Sequence, residues 1–159
     1  MGKRLASALS LPFVEFDAIY WGPGWAEPTK VQFRSRIQKA IEGEAWVADG
    51  NYSVVRDIVW TRADTLVWLD FRLSVIMPRL LMRTLRRTIR RTEIWPGCRE
   101  RFWDQFASRD SLFLWALKTY WRRRKQYPAL LLQPEFAHLH VIRLRSPGVA
   151  ERWVRGLER

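Results

Sequence analysis

Cysteine is almost absent. Cys98 is the only one in 159 residues, which excludes an intramolecular disulfide, and with nothing resembling a signal peptide the expected compartment is the cytoplasm. Histidine is nearly as scarce. His138 and His140 have no companions at metal-ligand spacing, so no zinc site is expected, and Cys98 without a dedicated histidine is no nucleophile candidate. Long apolar runs are also missing. LVWLDF (66–71) and ALLL (129–132) are the longest, and charges or prolines bound them, which argues against a membrane span or a membrane partner. No repeat and no low-complexity stretch is present. Acidic side chains are the minority, 16 against 28 Lys+Arg, for a net charge of +12. That surplus implies an anionic partner, and composition alone does not say which.

Apolar material is plentiful. Hydrophobic residues make up 48% of the chain and include ten tryptophans, enough for one domain over residues 1–159. Leu5, Ala8 and Leu9 have helical spacing. LPFVEFD (11–17) reads as a strand ending at Asp17, followed by a Gly-Pro-Gly loop (22–24). Pro28-Thr29 opens a helix with Phe33, Ile37, Ala40 and Ile41 on its apolar face. AWVAD (45–49) and TLVWLDF (65–71) read as further strands, with a short helix between Tyr52 and Trp60. Ser74 is the expected cap of a long basic helix, with Pro78 in its first turn. Its apolar face is Leu81, Leu85 and Ile89. Glu93 to Ser108 looks like a loop or lid, part of a lid-like segment over about 88–108. Asp110 to Gln126 reads as a helix stopped by Pro128, HVIRLR (140–145) as a strand, and Pro147 to Leu157 as a closing helix. Strands separated by helices predict an α/β protein with a mainly parallel sheet flanked by helices.

In such sheets ligands sit beyond the carboxyl ends of the strands, where Asp17, Asp49 and Asp70 fall. Asp49 either stabilises the Asp-Gly-Asn turn by a local bond or organises Mg²⁺ and its waters beside a nucleotide. Asp17 either caps its loop or serves as general base toward a hydroxyl. Arg56 and Arg62 either pair with Asp57 and Asp64 or grip phosphate bidentately. Between Arg79 and Arg101, eight arginines are offset by only Glu93 and Glu100. A solvated face is the common reason for helix charge, yet like charges at i,i+4 repel, so an anion that gathers them explains this run better. Arg122-Arg123-Arg124-Lys125 forms a second cluster, part of which is favourable charge near a helix C-terminus. Trp46, Trp68 and Trp115 are expected in the core. Trp21 and Trp25 flank the loop beside Asp17 and either pack or stack on a base or sugar.

Together, D-x-x-x-W-x-P-G-W (17–25), D-G-N-Y-S-x-x-R (49–56), RADTLVWLDF and the arginine-rich helix resemble the adenylate-kinase-related P-loop NTPases often labelled DNA topology modulation proteins. The resemblance runs from about residue 4 to the end. It implies a nucleoside-triphosphate-binding kinase fold using ATP and Mg²⁺. By that resemblance Asp49 is the nucleotide-site carboxylate and metal ligand. Arg56, Arg83 and Arg87 act on the transferring phosphates, and Arg90 and Arg91 close over them. Asp17, Trp21, Trp25, Tyr52 and Arg56 lie on the acceptor side, and Arg145, Ser146 and Pro147 cradle adenine.

One departure stands out. The sequence contains no G-x-x-x-x-G-K-[ST] loop, whose amides hold the phosphates in that fold. In the strand order 2-3-1-4-5 implied by the resemblance, the strand before that loop is the first and the central one. Its absence leaves the strands at 45–49 and 65–70 to pair with each other or to keep unsatisfied edges. The expectation is a kinase-like domain truncated at its amino end by a misassigned start. In its intact form it would transfer the γ-phosphoryl group to a nucleotide or small hydroxyl acceptor. The chain as written is expected to bind nucleotide weakly and catalyse little. The competing expectation is a non-catalytic protein that binds nucleic acid through its basic helices. Oligomeric state is not legible.

Overall fold

The computed structural model describes residues 1–89, 93–95, 98–99 and 112–158. Helix α1 (Gly2–Ala8) leads into strand β1 (Phe13–Glu15) and the single-turn helix α2 (Phe16–Tyr20), then a 3₁₀ turn at Pro23–Trp25 and helix α3 (Lys30–Ala40). Strand β2 (Val47–Asp49) is followed by a 3₁₀ turn at Ser53–Val55, helix α4 (Arg56–Arg62) and strand β3 (Thr65–Leu69). Helix α5 (Leu73–Ile89), short strands β4 (Glu93–Trp95) and β5 (Cys98–Arg99), helix α6 (Leu112–Leu131), strand β6 (His140–Leu144) and helix α7 (Pro147–Leu157) complete the order.

The architecture is α/β, with two small parallel sheets in place of one. Strand β1 pairs with β2 in the register Phe13↔Val47 to Glu15↔Asp49, and β3 pairs with β6 from Thr65↔His140 to Leu69↔Leu144. β2 and β3 do not pair with each other, so of the two outcomes open to these edges the structure adopts the unjoined one. β4 and β5 form an antiparallel pair; the remainder of the lid-like segment lies outside the described residues.

Several boundaries differ from expectation for identifiable reasons. The strand drawn from 11 to 17 stops at Glu15, and Asp17 sits in the first turn of α2. Ser74 is not a cap, because α5 begins at Leu73 and the Val75 and Ile76 amides bond to the Arg72 carbonyl. Pro78 therefore lies beyond the first turn, and Pro128 lies inside α6 without ending it. A proline removes one ladder bond and does not by itself stop a helix that packing supports. The buried stripe of α5 is Leu80 and Thr84, whereas Leu81 and Ile89 face solvent. Trp115 is half exposed, and Trp60 takes the core place instead.

The main core joins Val14 and Phe16 to Phe33, Ile37, Ile41, Val55, Val59 and Trp60, closed by Tyr127, Phe136 and Leu139. Burying these apolar groups is worth about 25 cal/mol per Å² removed from water and is the dominant favourable term. α3 enters it through a capping box, in which the Thr29 hydroxyl accepts from the Gln32 amide and the Gln32 side chain accepts from the Thr29 amide. Thr29→Ala removes that cap and is expected to cost about 1 kcal/mol in urea unfolding. At the far side Arg4 of α1 reaches Glu151 at 2.6 Å and Glu158 at 3.0 Å, tying α1 to α7.

Candidate functional site

The parallel register Glu15↔Asp49 carries the chain beyond both strands at one rim, where Asp17 and Asp49 fall close enough to feel each other electrostatically. Asp49 accepts a hydrogen bond from the Gly2 amide and lies near the Met1 ammonium. A Cβ at Gly2 would come within 2.8 Å of the Asp49 carboxylate and 2.7 Å of the Phe13 ring, so glycine permits this close approach. Part of Asp49 remains open to solvent, yet loss of water around its carboxyl raises its pKa above the ordinary carboxylate value. The Met1 ammonium opposes that shift, while Glu15 and Asp17 add to it.

Asp17 is exposed and accepts a 2.6 Å hydrogen bond from the Tyr52 hydroxyl. Burial, then the Asp17 carboxylate, raises the Tyr52 phenol. Tyr52 is held among aromatic rings, with Tyr20 and Phe33 each at 4.9 Å, and Trp21 lies edge-on to both Tyr20 and Trp25. Trp25 adopts φ +65°, a left-handed conformation uncommon for a bulky residue. Trp21 and Trp25 thus meet each other, with Trp25 presenting a face to solvent.

Immediately after Gly50 the chain enters a basic cavity of about 480 Å³. Arg56, Arg122 and Arg123 line it together with Asn51, Ser53, Gln126 and Gln133, and among the described residues no carboxylate does. The Arg56 guanidinium stands 5.1 Å from the Trp60 ring and 5.7 Å from Tyr127; Arg123 stands 4.6 Å from Trp115. Burial pulls the Arg123 pKa below the usual guanidinium value; the Tyr127 phenol opposes this, while Arg122 and Arg56 push the same way as burial. Three like charges converging on an unoffset hollow have a strong demand for an anion. Stacking on aromatic rings holds two of the guanidiniums in place meanwhile.

The remaining sequence candidates distribute as follows. Arg83 and Arg87 stand one turn apart on α5 and are not among the cavity-lining residues. Arg90 and Arg91 lie outside the described residues. Ser146 is the N-cap of α7, its hydroxyl accepting from the Val149 amide at 3.3 Å, with Pro147 in the first turn and Arg145 exposed beside it. Arg62 donates to the Glu42 and Gly43 carbonyls, and Asp57 pairs with Arg34. Neither plain ion pair suggested for Arg56 and Arg62 forms. His138 meets the Trp60 carbonyl at 3.1 Å.

Sequence reasoning missed Arg122 and Arg123 as partners of Arg56. They are 66 and 67 residues away, and only the packing of α6 against α4, with Tyr127 edge-on to Trp60, brings them together. It also missed the use of Asp70. This buried carboxylate is clamped by Arg124 and Arg143 and is structural. Among the described residues no group of three metal-ligating side chains occurs, and none of their helices is long and apolar enough to cross a membrane. No family model, curated protein or solved structure matches the chain.

Proposed function

We propose that this chain is an adenylate-kinase-like phosphotransferase domain. It grips the polyphosphate of ATP in the arginine cavity and receives a nucleotide or small hydroxyl acceptor at Asp17. The observation that carries this reading is the convergence of Arg56, Arg122 and Arg123 on one cavity beside the Asp49–Ser53 loop. Phosphoryl transfer calls chiefly for positioning and neutralisation of charge. Arg56, Arg122 and Arg123 supply the neutralising charge, and Asn51 and Ser53 add neutral donors. Tyr52 fixes the orientation of the Asp17 carboxylate, which would align an acceptor hydroxyl and take its proton. Mg²⁺ fits in one sense only. A lone carboxylate cannot cage it, but Mg²⁺ that arrives on phosphates needs one or two, and Asp49 would hold it. The chemistry such an ion would supply there is positive charge against the phosphates. Arg145, Ser146 and Pro147 would bound the adenine, through Arg145 and Pro147 in particular, since the Ser146 hydroxyl is engaged. Without a glycine-rich loop to cradle the phosphates, binding and turnover are weak.

Thermal unfolding of the chain with ATP, at fixed ionic strength, tests this. At a hundredfold excess over Kd the stabilisation is about 2.7 kcal/mol. Arg56→Gln with Arg123→Gln abolishes it, and Asp49→Asn removes only the increment due to Mg²⁺. The Asp49 variant should fold well. The folded-state pKa of this carboxyl is raised, so its ionisation weakens the fold as pH climbs from the ordinary carboxylate value through the raised one. An amide avoids that cost at neutral pH. Stabilisation by duplex DNA that falls steeply with salt, and is indifferent to Mg²⁺-ATP, overturns the reading in favour of backbone binding.

A further inference from the structure

Tyr127 of α6 is 7% exposed. Its ring belongs to the core, edge-on to Trp60 at 5.6 Å and tilted against Trp68 at 5.3 Å. Its hydroxyl is hydrogen-bonded to the side chains of Asn51 and Arg56. Both of these line the arginine cavity, whereas Tyr127 does not. The contact therefore joins α6 to the loop after β2 and to the first residue of α4. A guanidinium can only donate, so Arg56 gives an N–H to the phenol oxygen. The Asn51 side chain has two polar ends, and the one bonded to Tyr127 leaves the other for a ligand. Burial raises the phenol pKa, and the Arg123 and Arg56 charges and both hydrogen bonds oppose that shift. The hydroxyl is thus neutral at pH 7.

We infer that Tyr127 is a positioning residue for the polyphosphate grip, its hydroxyl aiming Arg56 and Asn51 into the cavity without spending the arginine's charge. The inference rests on the ATP reading of that cavity. Asp70 supplies the contrast. It also fixes two guanidiniums, those of Arg124 and Arg143, but a carboxylate cancels the charge it holds. A neutral phenol fixes Arg56 and leaves that charge for an anion. Stacking does not do this alone. The Arg56 guanidinium stands 5.1 Å from the Trp60 ring and 5.7 Å from the Tyr127 ring, and a ring face sets no direction for its N–H groups, whereas a bond to one oxygen does. That oxygen is carried on a ring packed against two tryptophans, so the donors are held ready before the phosphates arrive.

Tyr127→Phe keeps the packed ring and removes only the hydroxyl. In the ligand-free chain, NMR follows solvent exchange of the Asn51 side-chain amide and the Arg56 guanidinium, which is expected to quicken about threefold or more in the variant. Calorimetric titration with Mg²⁺-ATP reads Kd, which is expected to weaken about tenfold, as for one hydrogen bond to a charged group. In an Arg56→Ala background the same substitution is expected to cost under about threefold, because the group through which it acts is gone. Unchanged exchange overturns the inference whether or not ATP binds, and so does unchanged affinity. An equal loss in the Arg56→Ala background, or a variant that does not fold, assigns the hydroxyl to the fold alone and also overturns it. A parent chain that does not bind ATP sinks the phosphotransferase reading instead. Inorganic tripolyphosphate then probes the same grip, with the same outcomes, and a parent that binds neither overturns both.

Discussion

Asp70→Ala is expected to lower the unfolding free energy by about 1–3 kcal/mol, the cost of leaving hydrogen-bonded partners unsatisfied. This falls short of a fully buried pair because the Arg124 and Arg143 side chains are 34% and 36% exposed. The Asp70 side chain is 1% exposed. Arg124 Nε meets one carboxylate oxygen at 2.8 Å, and Arg143 Nη2 meets the other at 2.6 Å, with Arg143 Nε at 2.9 Å. These bonds pin α6 and β6 to the end of β3, and the guanidiniums also lie over rings, Arg143 at 4.3 Å from Trp68 and Arg124 at 5.2 Å from Tyr120. Alanine leaves two cations facing a hollow with no counter-charge. Urea unfolding measures the loss directly, and a Tm drop of about 2–12 °C follows at roughly 2–4 °C per kcal/mol for a chain of this size. Asp70→Asn keeps the shape and part of the hydrogen bonding and should fall between. A loss under about 1 kcal/mol would mean that solvent screens the pair as it does a surface one.

Gly50→Ala is the second large expectation. Gly50 has φ +152°, and an added Cβ would stand 2.5 Å from Phe16 Cβ and 2.6 Å from its ring. Phe16 is 3% exposed within the main core and cannot give way cheaply. Backbone strain costs about 1–3 kcal/mol and forced overpacking about 1–3 kcal/mol more. Because Gly50 separates Asp49 from Asn51, the variant should also displace the loop that leads into the arginine cavity. Its unfolding midpoint should fall, and whatever ATP stabilisation remains at low temperature should fall with it. A variant as stable as the parent would show that this glycine is not required by its conformation.

Local chemistry in the sequence foretold local structure well. Pro28-Thr29 announced the α3 cap, and the apolar spacing of Phe33, Ile37 and Ile41 matched the buried face. The short strands at 47–49, 65–69 and 140–144 and the closing helix at 147–157 were also legible from residue type. Failures arose where tertiary packing decided. Leu81 and Ile89 looked like the inner face of α5, but the adjacent stripe, Leu80 and Thr84, is the one buried. Pro128 looked like a helix stop, yet the neighbouring Tyr127 is anchored against Trp60 and Trp68 and the helix runs through. For the site, the sequence placed Asp49 at a strand end, where it lies, whereas Asp17 falls in the first turn of α2 and its bond to Tyr52 was not foreseen. The meeting of Arg56 with Arg122 and Arg123, and of Asp70 with Arg124 and Arg143, was not legible, because each spans more than fifty residues.

Arg4 joins its two glutamates across separations of 147 and 154 positions. That ionic latch turns the backbone into something close to a ring, and a ring of this circumference is among the last to shut during folding, since its ends must find each other through the widest search the polypeptide offers. Both carboxylates are wet and easily screened, so the latch does little for the finished fold. Salt would delay that closing step while leaving the endpoint almost where it was.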